Sequence, residues 1–235
     1  MRIDVISAFP DMFGGPLDES IVQRAQTKGL VDIEVHDLRA FTTDKHQQVD
    51  DYPYGGGPGM VLKPEPLFKA IRHVRALSEG GAHVIYLSPD GRTLNQALTR
   101  ELTERPHLTL VCGHYKGIDE RVRDTLIDEE ISVGDYVLSG GELPAMVIID
   151  AVARLIPGVL GDAGSAETDA FENGLLDCPY YTRPEEFEGQ AVPPVLMSGH
   201  HKEIAKWRRD QALARTREKR ADLWKQYPGA EQTDI

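Results

Sequence analysis

Apolar segments of strand length alternate with helical segments over the first 160 residues of this chain. Strands are predicted at Arg2–Phe9, Ile33–Leu38, Ala82–Leu87 and Leu108–Cys112. Helices are predicted at Ile21–Lys28, Pro66–Leu77, Leu94–Leu102, Asp119–Ile127 and Leu143–Leu155. Such alternation is typical of an α/β fold with a mostly parallel sheet covered by helices on both faces.

The stretch Ile131–Met146 is the one around which the rest of the chain is predicted to be organised. It begins as a strand, breaks at Gly134-Asp135, resumes through Tyr136–Leu138, breaks again at two glycines and then opens a helix. Bare glycine backbone lets a ligand approach closely, although a tight turn without a ligand explains this stretch equally well. The breaks at Leu87–Gly91 and Gly113–Gly117 also follow strands, where ligands bind in open α/β sheets. Together the three breaks favour a ligand site.

The glycines do not fit the common nucleotide motifs. The chain contains no GxxxxGK[ST], and FPDMFGG stands after the first strand, where a GxGxxG would be needed. The usual methyltransferase fold, with its glycine loop after the first strand, is not supported either.

The charge distribution indicates a polyanion bound at one place. The chain has 235 residues and a net charge of −12, which opposes indiscriminate coating of nucleic acid. Residues 200–225, however, hold nine Lys and Arg against four Asp and Glu, a local charge of 9 − 4 = +5.

Cysteine usage and hydropathy favour a cytoplasmic protein without a membrane span. The longest apolar run, Ala145–Ala153, is interrupted by Asp150. Cys112 and Cys178 lie far apart and in no CxxC, so disulfide and zinc frameworks are not expected.

Composition divides the chain into two predicted domains. Residues 161–173 are small, polar and acidic, and are interpreted as a flexible linker. An α/β domain is predicted at 1–160, and a Pro- and Tyr-rich, helical domain at 174–235, with one helical run from Glu203 to about Tyr227.

Eight motifs occur together in a characteristic order. They are ISAFPDMF, PYGGGPGM, LSPDGR, CGHYKGIDER, SVGDYVLSGGELPAM, ARLIPGVLG, GLLDCPYYTRP and VLMSGHH. In this order and spacing, over nearly the whole length, the chain closely resembles the bacterial tRNA (guanine-N1-)-methyltransferases of the SPOUT superfamily.

The resemblance implies a fold, a methyl donor and partners. The first domain is expected to be a SPOUT-type parallel sheet with a C-terminal trefoil knot, and the second a small helical domain that binds tRNA. The enzyme is expected to be a homodimer with composite active sites. It would transfer a methyl group from S-adenosyl-L-methionine to N1 of the guanine immediately 3′ of the anticodon. Mg²⁺ is a further possible cofactor, and no metal ligands are assigned.

The resemblance also assigns two catalytic residues. Guanine N1 carries a proton at neutral pH, so its methylation needs a base and a group that offsets charge on O6. Asp169 matches the family's general base and Arg154 the residue that binds O6. From the sequence alone, Asp169 would be a solvated acid in a polar linker and Arg154 a cation favourable to a helix C-terminus.

The donor pocket implied by the resemblance draws on the three strand ends. Its residues are Tyr86, Leu87, Ser88, Pro89, Gly113, Tyr115, Gly117, Val133, Gly134, Asp135, Tyr136, Val137, Leu138, Gly140, Gly141 and Pro144. Tyr86, Leu87 and Leu138 are equally compatible with an ordinary core.

The implied tRNA contacts lie in the second domain. They are Asp177, Tyr181, Arg183, Lys202, Lys206, Arg208, Arg209 and Arg215, with the anticodon stem-loop as the expected partner. The basic residues would bind phosphates, which positions the RNA without reading sequence. A solvated basic helix face explains the charges as well.

One segment departs from the family pattern. Many members have Arg-Tyr-Glu-Gly where this chain has His114-Tyr115-Lys116-Gly117. A carboxylate is replaced by a cation, so a family role for that glutamate, including help with Mg²⁺, does not transfer. Lys116 either pairs with the donor's methionine carboxylate or is solvated.

Two other functions remain open from the sequence. One is a SPOUT enzyme that methylates a ribose 2′-hydroxyl or a ribosomal base. The other is a non-catalytic RNA-binding factor, which we expect to have lost Asp169, Arg154 or the glycine loops, whereas this chain keeps them.

Overall fold

Five parallel strands form the central sheet of the chain's first part. They are β1 (Arg2–Ser7), β2 (Asp32–Asp37), β5 (His83–Thr93), β6 (His107–Cys112) and β7 (Glu129–Ser132). Their order is β2-β1-β6-β5-β7, and every neighbouring pair is parallel. The α/β fold with a parallel sheet is therefore confirmed.

The structure is a computed structural model that describes residues 1–78, 80–161 and 169–230. The chain divides into two compact units, Met1–Gly161 and Asp162–Ile235. Most of the predicted linker, residues 162–168, lies outside the described residues.

Helices cover both faces of the sheet. They are α1 (Ser20–Thr27), α2 (Pro64–Arg75), α3 (Gln96–Thr103), α4 (Glu120–Leu126) and α5 (Glu142–Ala153). Residues of α1, α3 and α5 pack in one apolar cluster and residues of α2 and α4 in another. The strands β1 and β6 are buried on both faces, as predicted for strands whose apolar residues do not simply alternate.

Local chemistry sets several helix boundaries. Asn95 is the N-cap of α3, and its side chain accepts a hydrogen bond from the backbone N–H of Leu98 at 2.9 Å. Pro64 stands in the first turn of α2, where a missing N–H costs nothing. Between β2 and α2 lies a two-stranded antiparallel ladder of β3 (Asp50–Asp51) and β4 (Val61–Leu62).

Two strand predictions were wrong. The strand β5 does not stop at Leu87 but continues to Thr93, because Ser88–Gly91 loops out of the ladder and both Leu87 and Arg92 pair with Ile131. The segment Tyr136–Leu138 is not a strand. Its side chains are exposed and find no neighbouring strand, since β7 ends at Ser132.

The second unit is mainly helical in its described part. Its elements are β8 (Glu186–Phe187), β9 (Gln190–Ala191), α6 (Pro194–Met197), α7 (His201–Lys219) and α8 (Ala221–Gln226). The predicted continuous helix from Glu203 to Tyr227 was wrong, because Arg220 adopts a non-helical φ of −136° and separates α7 from α8. No helix in the described part of the chain is long and apolar enough to cross a bilayer.

Candidate active site

Three segments meet at one edge of the sheet, namely the bulge Ser88–Gly91 of β5 and the loops that follow its neighbours β6 and β7. They border a cavity of about 200 Å³ that is open to solvent on one side. Every residue assigned to the donor pocket lines this cavity except Asp135. The parallel sheet therefore brings together side chains from residue 86 to residue 144.

The cavity has further lining residues that the sequence did not assign to it. They are His114, Lys116, Ile131, Ser132 and Ser139. His114, Lys116 and Ser139 stand between assigned residues, and Ile131 and Ser132 directly precede Val133, so contiguity along the chain was the available signal. Asp135 stands in the same loop as its neighbours and does not line the cavity.

Close packing of the loops explains why residue 141 is a glycine, which the sequence analysis had attributed to contact with a ligand. A Cβ on Gly141 would lie 2.8 Å from the Cα of Cys112, closer than real Cβ atoms approach backbone. The N–H of Gly141 donates to the carbonyl of Gly113 at 2.8 Å. Gly141 therefore lets the start of α5 sit directly against the end of β6.

The glycine-rich segment Tyr54–Met60 braces the same cavity. The N–H of Lys116 donates to the carbonyl of Met60 at 3.0 Å, and the N–H of Leu62 donates to the carbonyl of Gly117 at 3.0 Å. Tyr115, directly before these two contacts, adopts a positive φ of 59°. The glycine-rich segment Tyr54–Met60 thus helps to hold the loop that follows β6 in an unusual conformation.

His114 forms one wall of the cavity. Its ring packs on Phe9 with centroids 4.5 Å apart and on Tyr115 at 4.9 Å. Its Nδ1 atom is buried and has no hydrogen-bond partner in the described chain. A buried polar atom without a partner is costly in a folded protein, so this atom is suited to contact a polar ligand.

A buried carboxylate anchors the first turn of α5. Glu142 is 1% exposed, and its Oε1 accepts a hydrogen bond from the hydroxyl of Ser7 at 2.7 Å. Its position at the helix N-terminus favours the negative charge. Burial, reinforced by Glu142, raises the pKa of the Cys112 thiol well above its usual range. Cys112 therefore stays protonated and is not a nucleophile.

Tyr86 contributes a neutral aromatic wall. Burial raises the pKa of its hydroxyl, so the phenol is protonated at physiological pH. The guanidinium of Arg123 lies 5.6 Å from its ring centroid and also binds Glu130 and Asp90, each at 2.9 Å.

Arg154 stands at the other end of α5 from the cavity. It is the C-cap of that helix, whereas Gly141 and Pro144 at the beginning line the cavity. Twelve helical residues span about 18 Å. The fold of one chain therefore keeps Arg154 away from the cavity of the same chain.

Asp169 belongs to a second cavity, within the second unit. This cavity has a volume of about 780 Å³, and Asp177, Tyr180, Arg208 and Arg209 also line it. The hydroxyl of Tyr180 donates to Asp177 at 3.1 Å. The pKa of Tyr180 is raised to about 12, mainly by burial and secondly by its hydrogen bond to the Asp177 carboxylate. Two predicted RNA-binding arginines and the predicted general base thus share one cavity.

The other predicted RNA contacts lie on α7 and the segment before it. Tyr181, Arg183 and Arg208 line a shallow groove. Lys202, Lys206 and Arg209 are exposed and recur at intervals of four and three residues, which places them on one face of α7. Arg215 is half-buried farther along the helix.

One cluster in the described chain has the composition of a metal site. Asp4, Glu34 and His36 bring three potential ligand atoms close together. Asp4, however, accepts hydrogen bonds from Arg2, His36 and His107 at 2.5 to 2.8 Å, and Arg2 also binds Glu34. The carboxylates are therefore engaged by cations and imidazoles of the chain itself.

Comparison with known proteins decides the family. The sequence profile described as "tRNA (Guanine-1)-methyltransferase TrmD" matches residues 1–226. A tRNA (guanine-N(1)-)-methyltransferase of Chloroflexus aurantiacus is 59% identical over 223 residues, which is 95% of this chain and 88% of the relative. Relatives of the same name from Dictyoglomus turgidum and Geobacillus kaustophilus are 56% and 54% identical, over 95% and 97% of this chain and 89% and 93% of their own lengths.

The chain belongs to the tRNA (guanine-1)-methyltransferase family. The resemblance stated from its motifs is thus confirmed. The predictions that the chain is an enzyme and that it methylates N1 of guanine in tRNA are confirmed with it. The same finding supports guanine-N1 methylation of tRNA over a non-catalytic RNA-binding factor and over a ribose or ribosomal-base methyltransferase.

Proposed function

We propose that this enzyme methylates N1 of the guanine immediately 3′ of the anticodon, with S-adenosyl-L-methionine bound among the bulge of β5 and the loops that follow β6 and β7. One observation carries the proposal: residues assigned to the donor from motifs more than fifty positions apart line one cavity. When bound, S-adenosyl-L-methionine supplies an electrophilic methyl group on a sulfonium.

The residues of the cavity fit such a ligand. Tyr136, Val137 and Leu138 expose apolar surface beside it, suited to an adenine ring. The unpartnered Nδ1 of His114 offers a polar contact. Residues that wall a cavity while remaining exposed are those that a ligand would cover.

Two residues would carry the chemistry. Asp169 takes the proton from N1 of guanine as the methyl group is transferred, and Arg154 offsets the charge that develops on O6. The half-buried position of Asp169 beside Arg208 and Arg209 supports this role, because those cations would hold the RNA next to it.

The proposed active site is composite and the enzyme a homodimer. Since α5 separates Arg154 from its own cavity by about 18 Å, the partner subunit's Arg154 is the one proposed to serve that cavity. On α5, Leu143 and Val147 are four residues apart and half-exposed, which gives an apolar face for a second copy.

The trefoil knot is part of the same proposal. In such a knot the chain after β7 threads through an earlier loop. The tight packing of Gly141 against Cys112 supports a crossing of these segments.

The second unit would hold the anticodon stem-loop. Lys202, Lys206 and Arg209 on one face of α7 would contact phosphates, with Arg208, Arg215, Asp177, Tyr181 and Arg183 nearer the loop. The tRNA substrate and two unpaired, buried cysteines support a cytoplasmic location.

Mg²⁺ does not fit the cavity. None of the described residues that line it carries a carboxylate, the ligand that Mg²⁺ requires, and Lys116 adds a cation. No step of the proposed reaction is routed through a metal.

A methyl-transfer assay on matched RNAs tests the position. Two tRNA transcripts would share a guanine at the third anticodon position and differ only in having guanine or adenine 3′ of the anticodon. With tritium-labelled S-adenosyl-L-methionine, we expect label only in the first, released on digestion as 1-methylguanosine. Label in the second transcript, or in a 2′-O-methyl nucleoside, would overturn the proposal.

A further inference from the structure

Lys116 is an exposed residue that lines the cavity. Its side chain lies against Gly59, where an added Cβ would come within 2.8 Å of its Cγ and 3.1 Å of its Cε. Gly59 has a φ of +98°, which an L side chain rarely adopts. The glycine-rich loop thus packs against the methylene stem of Lys116, and the same residue lines the cavity.

The neighbouring cations are already paired. Arg121 binds Asp119 at 2.7 Å, and Arg123 binds Glu130 at 2.9 Å. In the described residues no carboxylate lies within ion-pair distance of the Lys116 ammonium. It is therefore a cation beside a cavity whose described lining has no acid.

We propose that Lys116 binds the α-carboxylate of the methionine moiety and so makes donor recognition depend on that carboxylate. The inference rests on the proposed binding of S-adenosyl-L-methionine in this cavity. A charge-assisted hydrogen bond from an ammonium held by its stem loses less rotamer entropy than one from a free lysine. A partly exposed pair of this kind changes affinity by about 3- to 10-fold.

The ammonium also selects against other ligands. A decarboxylated donor would present its amine without the compensating carboxylate, and 5′-methylthioadenosine would present neither group. The affinities of the enzyme for these three ligands should therefore follow the charge that each ligand places near Lys116.

Calorimetry with three ligands and three variants tests the inference. The ligands are S-adenosyl-L-methionine, its decarboxylated analogue and 5′-methylthioadenosine. The variants are Lys116→Met, which keeps a flexible stem without charge, Lys116→Arg, which keeps the charge, and the control Lys69→Met. Lys69 is exposed on α2, pairs with Glu65 and does not line the cavity.

We expect Lys116→Met to weaken S-adenosyl-L-methionine about 3- to 10-fold while 5′-methylthioadenosine binds within about twofold of wild type. Lys116→Arg should retain most of the preference, Lys69→Met all of it, and added salt should reduce it. Equal loss for all ligands, or no loss, would overturn the role of Lys116 and leave the proposed function standing. Failure of the wild type to bind S-adenosyl-L-methionine would overturn both.

Discussion

Asp4 and Glu142 are buried acids of the first unit, and different groups hold each of them. Asp4 is fully buried and accepts hydrogen bonds from Arg2, His36 and His107. Glu142 relies on the Ser7 hydroxyl and the N-terminus of α5. Burial acts to raise the pKa of Asp4, but the hydrogen bonds from His36, Arg2 and His107 outweigh it and hold that pKa well below its usual range.

The Asp4 network is predicted to contribute stability that depends on pH. Replacing Asp4 by Asn leaves buried donors of Arg2 and two histidines without their charged acceptor, and should lower the free energy of unfolding by about 3–5 kcal/mol at pH 7. The control Asp32→Asn, at an exposed partner of Arg2, should cost less than about 1 kcal/mol.

The pH dependence follows from the lowered pKa. A carboxyl whose pKa is lower in the folded state contributes its stability above the unfolded pKa of about 4 and loses it as pH falls towards the folded value. Urea unfolding between pH 5 and pH 3 should therefore show the gap between wild type and Asp4→Asn narrowing. If the difference in unfolding free energy between the two proteins stayed constant over that range, the assignment of a negative charge to Asp4 would be wrong.

At the scale of elements, burial decided which sequence patterns were reliable. The strands β1 and β6 were predictable because both of their faces are buried, and Ile3, Val5, Ile6, Leu108, Leu110 and Val111 place apolar side chains on both faces. Tyr136–Leu138 is as apolar, but it borders a cavity, and composition does not distinguish surface kept for a ligand from surface kept for a sheet. The break at Arg220 lies in a run of good helix formers and could not be predicted from propensity.

Gly141 is predicted to be essential where the start of α5 meets β6. An alanine there would bring its Cβ to 2.8 Å from the Cα of Cys112, and backbone cannot rotate aside as a side chain can. We expect Gly141→Ala to destabilise the first unit by about 1–3 kcal/mol in thermal unfolding and to weaken donor binding.

Gly14→Ala is the matched control for this prediction. Gly14 has an ordinary φ of −61°, and an added Cβ would meet its nearest atom at 3.6 Å. Its replacement should change stability by less than about 0.5 kcal/mol. Equal stability of the two variants would show that the loops around Gly141 yield easily.

At the scale of the molecule, the fold of one chain explains the cavity, whereas the proposed catalytic residues lie elsewhere in that chain. A cavity could be anticipated because the carboxyl ends of parallel strands lie at one edge of the sheet. Its lining residues were assigned through the motifs that carry the family resemblance. Arg154 and Asp169 could be assigned only through the resemblance, since the first is a helix cap and the second lies in the predicted polar linker. His114 and Lys116 were identified as departures from the family, and their positions required the structure.

The composite site predicts complementation between two inactive variants. Leu138→Trp should fill the cavity of its own chain, and Arg154→Ala should disable the cavity of the other subunit. Each homodimer should be nearly inactive, whereas a purified heterodimer contains one intact site and should recover about half of wild-type activity. An inactive heterodimer would mean that Arg154 serves the cavity of its own chain.

The central claim is a division of labour, in which the first unit binds the methyl donor and Asp169 in the second unit removes the proton from guanine N1. The direct measurement is the single-turnover rate of Asp169→Ala with tRNA, alongside its affinity for S-adenosyl-L-methionine and with Glu172→Ala as a nearby carboxylate control. The account predicts a rate lower by about 10²- to 10⁴-fold, an unchanged affinity and a control close to wild type. A near-normal rate in Asp169→Ala would contradict it.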